Sequence, residues 1–243
     1  MSDEQKRLQF LYSEKLPGFL PSQQKKIEKK WAGINEDLEM SISVAEYTST
    51  HLIEGEKTKS KDKILSISDD NVGFIIKGSL RSAVIGYKPQ LVRSGNGIIT
   101  AMNLTEGNVP DSVAFKPTLK EDFERTKKVS RLVNTDDGYT SKANFEWAQE
   151  TNIEILSCNG INGRKLTSDE DWESTEYMIA RSDRSTVEGL ISTLKLVYNF
   201  GKVCRRGIEN VRAEMLEKVI AYNFYRIQLL RKRKHKVEMK LAA

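Results

Sequence analysis

Cysteine and histidine are scarce in this sequence, since the 243-residue chain has only two of each. Cys158 and Cys204 form no CxxC pair and have no histidine nearby. Neither a zinc site nor a disulfide framework is indicated, and we expect both to be small core residues. His51 and His235 lie in polar segments without a second histidine at metal-ligand spacing, which favours surface positions. Nucleophilic catalysis by cysteine or histidine therefore lacks its partner residues.

Long apolar runs are also missing. No stretch approaches the roughly 20 apolar residues of a membrane-spanning helix. Residues 1–6 are charged and lack the apolar segment of a secretory signal. With 38% hydrophobic and 30% charged residues, the composition is ordinary for a globular protein. We therefore expect a reducing, cytoplasmic setting and no membrane partner.

Positive charge is concentrated at one end of the chain. The net charge is +5, but residues 201–243 hold 12 Lys and Arg against 4 Asp and Glu, whereas the remainder holds 27 against 30. The basic run includes Arg231, Arg233 and Lys234. Such a segment attracts DNA by releasing counterions from the phosphate backbone, although a solvated tail has the same composition. Charge leaves both interpretations open.

The hydrophobic pattern divides the chain into a helical first part and an α/β remainder. Residues 1 to about 56 are polar and weakly amphipathic, and the lysine-rich stretch at 56–63 is typical of an exposed linker. Strand composition interrupted by turn residues then predicts strands at 64–68, 72–77, 86–92 and 98–104. The last two form a hairpin through residues 94–97.

Helices and strands alternate after this hairpin. The pattern predicts helices at 111–126 and 141–151, strands at 129–135 and 153–157, a polar loop at 158–171, and helices almost to the end. Apolar helical faces are expected at Val187, Leu190, Ile191 and Leu194, and again at Val211, Met215, Val219, Tyr222 and Ile227. This order indicates an α/β fold with a mixed sheet flanked by helices. Ligands of such folds favour the carboxyl ends of strands.

An acidic pair ends one predicted strand. In Asn134-Thr135-Asp136-Asp137-Gly138-Tyr139 the chain leaves an apolar strand, turns and enters a helix, which presents a carboxylate at the edge of the sheet. Such an edge can hold a hard cation. Aspartate is also favoured as a helix cap or turn residue, and the local sequence leaves that alternative open.

A second carboxylate borders the first apolar helical face. Glu188 lies four residues after Arg184 and seven before Lys195, so the three side chains project from neighbouring sides of one helix. Metal-dependent phosphodiester chemistry uses converging carboxylates to hold Mg²⁺ or Mn²⁺, and basic side chains can neutralise phosphates beside them. The alternative is a solvated ion pair between Arg184 and Glu188.

The spacing of Arg184, Glu188 and Lys195 resembles the helical signature of bacterial insertion-sequence DDE transposases. The segment Asn134 to Tyr139 is similar to the family's second-acid strand and turn, and the Gly86-Tyr87-Lys88 strand with Asn108 and Asp111 has familiar spacing. The resemblance implies an RNase H-like catalytic domain at 61–230, a helical insertion or remnant at 1–60 and a basic tail at 231–243.

The resemblance also implies a set of functional residues. Asp136 and Glu188 become catalytic ligands of Mg²⁺ or Mn²⁺, with Arg184 and Lys195 beside them. Lys195 and the basic tail residues Arg231, Arg233 and Lys234 would contact double-stranded DNA. The implied reaction is water attack on a phosphodiester at the element's end, followed by attack of the freed 3′-hydroxyl on target DNA. A homodimer in a bacterial, nucleoid-associated setting is the corresponding expectation.

Two departures from the family pattern shape the functional hypothesis. Arg181 stands three residues before Arg184, where the family usually has tyrosine. The first catalytic aspartate should precede a helical insertion resembling residues 1–60, whereas Asp69 and Asp70 match a turn. We therefore expect a truncated transposase with weak or absent strand transfer. A non-catalytic DNA-binding protein derived from a transposase is the alternative, and the spacing disfavours another RNase H-like nuclease.

Overall fold

The structure is a computed structural model that describes residues 3–56, 63–66, 68–77 and 82–241. It divides into two compact units, Met1–Asp70 and Asn71–Ala243. Most of the predicted linker and the expected domain boundary after residue 60 lie outside the described residues, so this domain division stays a prediction.

The first unit is helical. Its helices are α1 (Asp3–Lys15) and α2 (Pro21–Thr48), followed by a π-helical turn at Ser49–Ile53. Pro21 occupies the first turn of α2, where its missing N–H costs nothing. The rings of Tyr12 and Trp31 stack with centroids 4.6 Å apart. None of the described side chains in this unit is buried.

The second unit opens with two hairpins. Strand β1 (Gly73–Lys77) pairs with β2 (Ser82–Gly86), and β3 (Gln90–Arg93) pairs with β4 (Ile99–Asn103), both antiparallel. The predicted turn at 94–97 is confirmed, with Gly97 at a φ of 82° that favours glycine. The predicted strand at 86–92 is confirmed only over 90–92, because the chain leaves strand geometry at 87–89, where Pro89 has no N–H to donate. At 64–66 and 68 the structure has no strand; residue 67 lies outside the described residues.

A parallel strand pair follows helix α3 (Asp111–Thr126). Strands β5 (Leu132–Asp136) and β6 (Ile155–Asn159) pair in register, with α4 (Lys142–Glu150) between them in the chain. Their shared core contains Phe115, Leu119, Val133, Trp147, Ala148, Ile153, Leu156 and Cys158. The mixed α/β content is therefore confirmed. Among the described residues the strands form three two-stranded sheets, and an RNase H-like arrangement stays a prediction.

Five helices complete the unit. They are α5 (Ile161–Leu166), α6 (Asp169–Glu173), α7 (Thr175–Ser182), α8 (Arg184–Val197) and α9 (Ile208–Leu241). The predicted loop at 158–171 is therefore wrong. Of the predicted apolar faces, Leu190 and Leu194 pack with β4 against Val211, Met215 and other residues of α9, whereas Val187 and Ile227 are exposed.

Cys204 lies in the segment between α8 and α9, and its environment differs from the predicted one. Cys158 is buried, as predicted, but Cys204 is exposed. The buried carboxylate of Glu214 accepts hydrogen bonds of 2.9 Å from the backbone N–H groups of both Cys204 and Arg205. Because these bonds anchor the loop through its backbone, the thiol is left on the surface.

Hydropathy along the helices gives no sign of a membrane span. Within the described ranges, every helix is either too short or too polar to cross a bilayer.

Candidate functional site

Asp136 and Glu188 converge on one guanidinium. Asp136 is the last residue of β5, and Arg184 and Glu188 lie one turn apart at the start of α8. Arg184 Nη2 is 3.7 Å from Asp136 Oδ1, and Arg184 Nε is 3.4 Å from Glu188 Oε1. Because both carboxylates lie within 4 Å of a single side chain, strand end and helix form one acidic site.

The structure separates the roles of the adjacent aspartates. Asp137 turns toward α5, where its carboxylate accepts from Gly163 N at 2.9 Å, Asn162 Nδ2 at 3.0 Å and Asn162 N at 3.3 Å. The hydrogen bond from Gly163 is the main cause that lowers the pKa of Asp137. Asp137 thus fastens α5 to the end of β5, and Asp136 is the one that faces α8.

Both structural alternatives for these acids are also present in the molecule. Asp136 Oδ1 accepts a 3.0 Å hydrogen bond from Asp137 N and caps the 3₁₀ turn at Asp137–Tyr139. Arg184 and Glu188 form the predicted ion pair at four-residue spacing. Asp136 therefore caps a turn and Glu188 forms an ion pair, while both carboxylates lie beside the same guanidinium.

Helix α8 is held in place by polar contacts away from the acids. Arg93 Nη1 on β3 donates to Thr186 Oγ1 at 3.1 Å. Asn159 Nδ2 donates to Asn134 Oδ1 at 2.6 Å, and Asn134 donates in turn to the carbonyl of Ala180 on α7. Since α8 follows α7 almost directly, these bonds fix the position of Arg184 and Glu188 relative to β5.

The acids open onto a cavity of ≈ 820 Å³. Lys195 lines it from the same side of α8 as Glu188, and the exposed Val187 also lies on the rim. Lys195 is solvent-exposed and forms no ion pair within the described part of the chain. The structure therefore brings together all four residues singled out from the α8 and β5 sequence patterns.

A hydrogen-bonded network that was not predicted lines another part of this cavity. Asp111 Oδ1 is 2.7 Å from Lys88 Nζ and 2.8 Å from Gln90 Nε2, and Tyr139 OH donates to Gln90 Oε1. Burial, with the charges of Asp111 and Asp136, raises the pKa of Tyr139, so its hydroxyl stays a donor. In the sequence, this network was indicated only by the spacing of Gly86-Tyr87-Lys88 and Asp111, which resembles that of the transposase family.

The donor set suits a hard divalent cation. Two carboxylates already share one positive charge, and oxygen ligands are those that Mg²⁺ and Mn²⁺ prefer. No cluster of three or more His, Cys, Asp or Glu side chains placed to hold a metal occurs in the described ranges. The described residues therefore bring two carboxylates to the wall of one cavity.

The basic residues near the carboxyl end lie elsewhere. Arg231, Arg233 and Lys234 are exposed on α9, which continues to Leu241, and none of them lines the acidic cavity. Lys234 Nζ is 3.9 Å from Glu238 Oε1. Their DNA contacts stay a prediction.

Comparison with known families identifies the family of this chain. The family model described as Transposase DDE domain matches residues 77–224, which include Asp136, Arg184, Glu188 and Lys195. This match spans more than half of the chain, and the chain belongs to the transposase DDE domain family. No curated protein and no solved structure matches the chain.

Proposed function

We propose that this protein is an insertion-sequence DNA transposase whose metal-dependent cleavage and joining chemistry is centred on Asp136 and Glu188. Family membership supports the transposase class. The single observation that carries the site is the guanidinium of Arg184, which lies within 4 Å of both carboxylates. It supports the assignment because it places both carboxylates around a single cation on the wall of one cavity.

The proposed roles follow from charge and position. Asp136 and Glu188 hold Mg²⁺ or Mn²⁺, which when bound activates water and stabilises the leaving oxygen of the phosphodiester. Lys195 and Arg184 supply positive charge along the same cavity, where they neutralise and orient the DNA phosphates. Tyr139, Gln90 and Asp111 keep the wall beside Asp136 in one arrangement.

We further propose that this chain by itself performs strand transfer weakly. The described site contributes two carboxylates, and Arg184 pairs with both of them. A two-ion centre gains stability from each additional carboxylate, so a site with two acids holds its ions less firmly. The insertion-sequence ends of a bacterial genome are the proposed substrate, in a cytoplasmic setting. A homodimer is the proposed assembly.

A non-catalytic DNA-binding protein is the second candidate. One observation favours it: Arg184 already pairs with both carboxylates, as a purely structural ion network would. The exposed basic end of α9 would then supply phosphate contacts without any chemistry.

Divalent-metal binding separates the two candidates. We expect Mn²⁺ to bind the full chain in calorimetry, and the binding to be lost in Asp136→Asn and in Glu188→Gln. Glu146→Gln is the matched control, because Glu146 is an exposed carboxylate on α4 that forms a 3.8 Å pair with Lys142 and does not line the acidic cavity. Mn²⁺ affinity that is the same in all four proteins would exclude a metal site at these acids.

Nicking of supercoiled DNA tests the expected weakness. With Mg²⁺ or Mn²⁺ we expect little or no product from the purified chain. Efficient metal-dependent nicking that disappears in Asp136→Ala would show that the chain is active, and would refute the proposed weakness while supporting the metal site.

A further inference from the structure

A second cavity lies beside the acidic site, and cationic residues contribute to its largely apolar wall. It has a volume of ≈ 580 Å³, and its cationic lining residues are Arg164, Lys165, Arg181 and Arg184. No carboxylate is among the described residues that line it. We propose that this cavity is a binding pocket for a backbone phosphate of the DNA strand that enters the acidic site. The strand assignment rests on the proposed function, whereas the pocket itself can be tested without metal or catalysis.

Trp172 organises the cations of this pocket. The guanidinium carbon of Arg181 lies 4.1 Å from the centroid of the indole ring, and that of Arg164 lies 5.2 Å from it. Arg181 Nη2 also donates to the Trp172 carbonyl at 3.1 Å. A guanidinium held in this way loses little conformational entropy when it binds an anion, which favours phosphate recognition.

Arg181 has hydrogen-bonding capacity left over. Its Nε is buried and has no hydrogen-bond partner, and no carboxylate of the described residues lies within ion-pair distance of its guanidinium. No described carboxylate therefore competes for this guanidinium, which leaves its positive charge available to an anion in the cavity. Arg181 is also the residue that stands where the family resemblance expects tyrosine, so this charge is a feature of this chain.

The pocket shares a lining residue with the acidic site. Arg184 lines both cavities. Asn159, another lining residue, ends β6 and is the register partner of Asp136 at the end of β5. The two cavities therefore meet at the same strand ends, which is the arrangement needed for one DNA strand to contact both.

The acidic helix α6 reduces the contribution of Arg164 to anion binding, but not that of Lys165 or Arg181. Asp169 forms a close ion pair with Arg164, and the carboxylate of Asp171 accepts a 2.7 Å hydrogen bond from the cap residue Ser168. Lys165 is exposed and forms no ion pair within the described part of the chain. Phosphate binding should therefore depend mainly on Arg181 and Lys165.

The surroundings of Trp172 favour a phosphate ligand over a base. Arg164 and Arg181 both lie over its indole ring, so the ring is engaged by cations and is not offered as a free stacking platform. Free phosphate and DNA phosphate share the same chemistry, and the test has to distinguish them.

DNA affinity in EDTA tests the pocket directly. Fluorescence anisotropy with a labelled duplex carrying a single-stranded tail should show Lys165→Ala and Arg181→Ala weakened by about threefold or more. The slope of log affinity against log salt should fall by roughly 0.7–0.9 for each DNA phosphate that the variant no longer neutralises. Lys120→Ala is the matched control, since Lys120 is an exposed lysine on α3 that lines neither cavity.

The outcomes are separable. DNA binding by both pocket variants that equals that of Lys120→Ala would overturn the proposal. The proposal would also be overturned if Lys165→Ala weakened the binding of inorganic phosphate but left DNA binding unchanged. The pocket would then bind a free anion and not the DNA backbone. Lys165→Ala removes only an exposed side chain, which keeps the test valid if Arg181→Ala folds poorly. Weakened DNA binding by the pocket variants, in a protein whose wild type binds no Mn²⁺, would retain the pocket and reject the proposed metal site.

Discussion

Replacing Arg184 with alanine should strengthen metal binding in the absence of DNA. In the structure the Arg184 guanidinium is the counterion of both acids, at 3.7 Å from Asp136 and 3.4 Å from Glu188. A divalent ion that enters the site has to displace this cation from between the carboxylates, or bind beside it against electrostatic repulsion. Removal of the guanidinium abolishes that competition. The same change should weaken DNA binding, because it removes a cation that neutralises phosphate.

The size of the effect follows from the exposure of the three side chains. Arg184 is 49% exposed, Asp136 63% and Glu188 69%, so each pair is a solvent-screened surface pair. Such pairs contribute about 0.2–1 kcal/mol each. Two of them correspond to about 0.4–2 kcal/mol, which is roughly a 2- to 30-fold decrease in the Mn²⁺ dissociation constant. The difference should shrink at high salt, where exposed charges are screened.

Calorimetric titration with Mn²⁺ at low ionic strength measures this change. Arg184→Ala should bind more tightly than wild type, whereas Glu188→Gln should lose binding. Arg125→Ala is a suitable control, because Arg125 is an exposed arginine on α3 that pairs with Glu121 and does not line the acidic cavity. If Arg184→Ala binds Mn²⁺ as weakly as wild type or more weakly, the guanidinium does not compete with the ion. The reasoning that Arg184 occupies the position of the metal would then be refuted.

Three stability predictions concern residues outside the acidic cavity. Burial tends to raise the pKa of Glu214, but hydrogen bonds from Lys218 and from the N–H groups of Arg205 and Cys204 outweigh it and lower the pKa to about 2. The stability from this carboxylate is therefore present above its ordinary pKa of 4.5 and is lost as the pH falls towards 2. Urea titrations of Glu214→Gln should accordingly show a flatter acid dependence over that range, and an unchanged profile would contradict the assignment. Leu194 is fully buried, so Leu194→Ala should lower the free energy of unfolding by about 3–5 kcal/mol, and a decrease of under about 1 kcal/mol would show that this core is loosely packed. A Cβ at Gly163 would lie 2.0 Å from the carbonyl oxygen of Cys158, so Gly163→Ala should cost about 1–3 kcal/mol and lower the midpoint of thermal unfolding, and an equal melting temperature would contradict this close approach.

Local patterns predicted the elements that present the site. The strand ending at Asp136 and the helix that carries Arg184, Glu188 and Lys195 are both present. Their predictability has a simple cause: apolar periodicity reports which face of a helix or strand is buried, and Leu190 and Leu194 do face the core. The hairpin at 94–97 was equally readable, because glycine and asparagine turns have strong local preferences.

Other features escaped the sequence because they depend on distant partners. The interruption at 198–207 and the exposure of Cys204 follow from a carboxylate ten residues away, Glu214, which captures the loop backbone. Helix α5, placed in a predicted loop, is anchored by Asp137 from the neighbouring strand. The two arginines over Trp172 come from different helices, so no local pattern indicated that arrangement.

The sequence by itself determined the helical and strand periods, the concentration of positive charge in the last part of the chain, and the residue types suited to phosphodiester chemistry. Only the tertiary structure decided which of two adjacent aspartates faces α8, and that Arg184 bridges it to Glu188. The physical reason is the distance along the chain over which each kind of interaction acts. Backbone preference and hydrophobic periodicity act over a few residues, whereas Asp136 and Glu188 reach the same guanidinium only because packing and hydrogen bonds bring a strand end and a helix together across about fifty residues of chain.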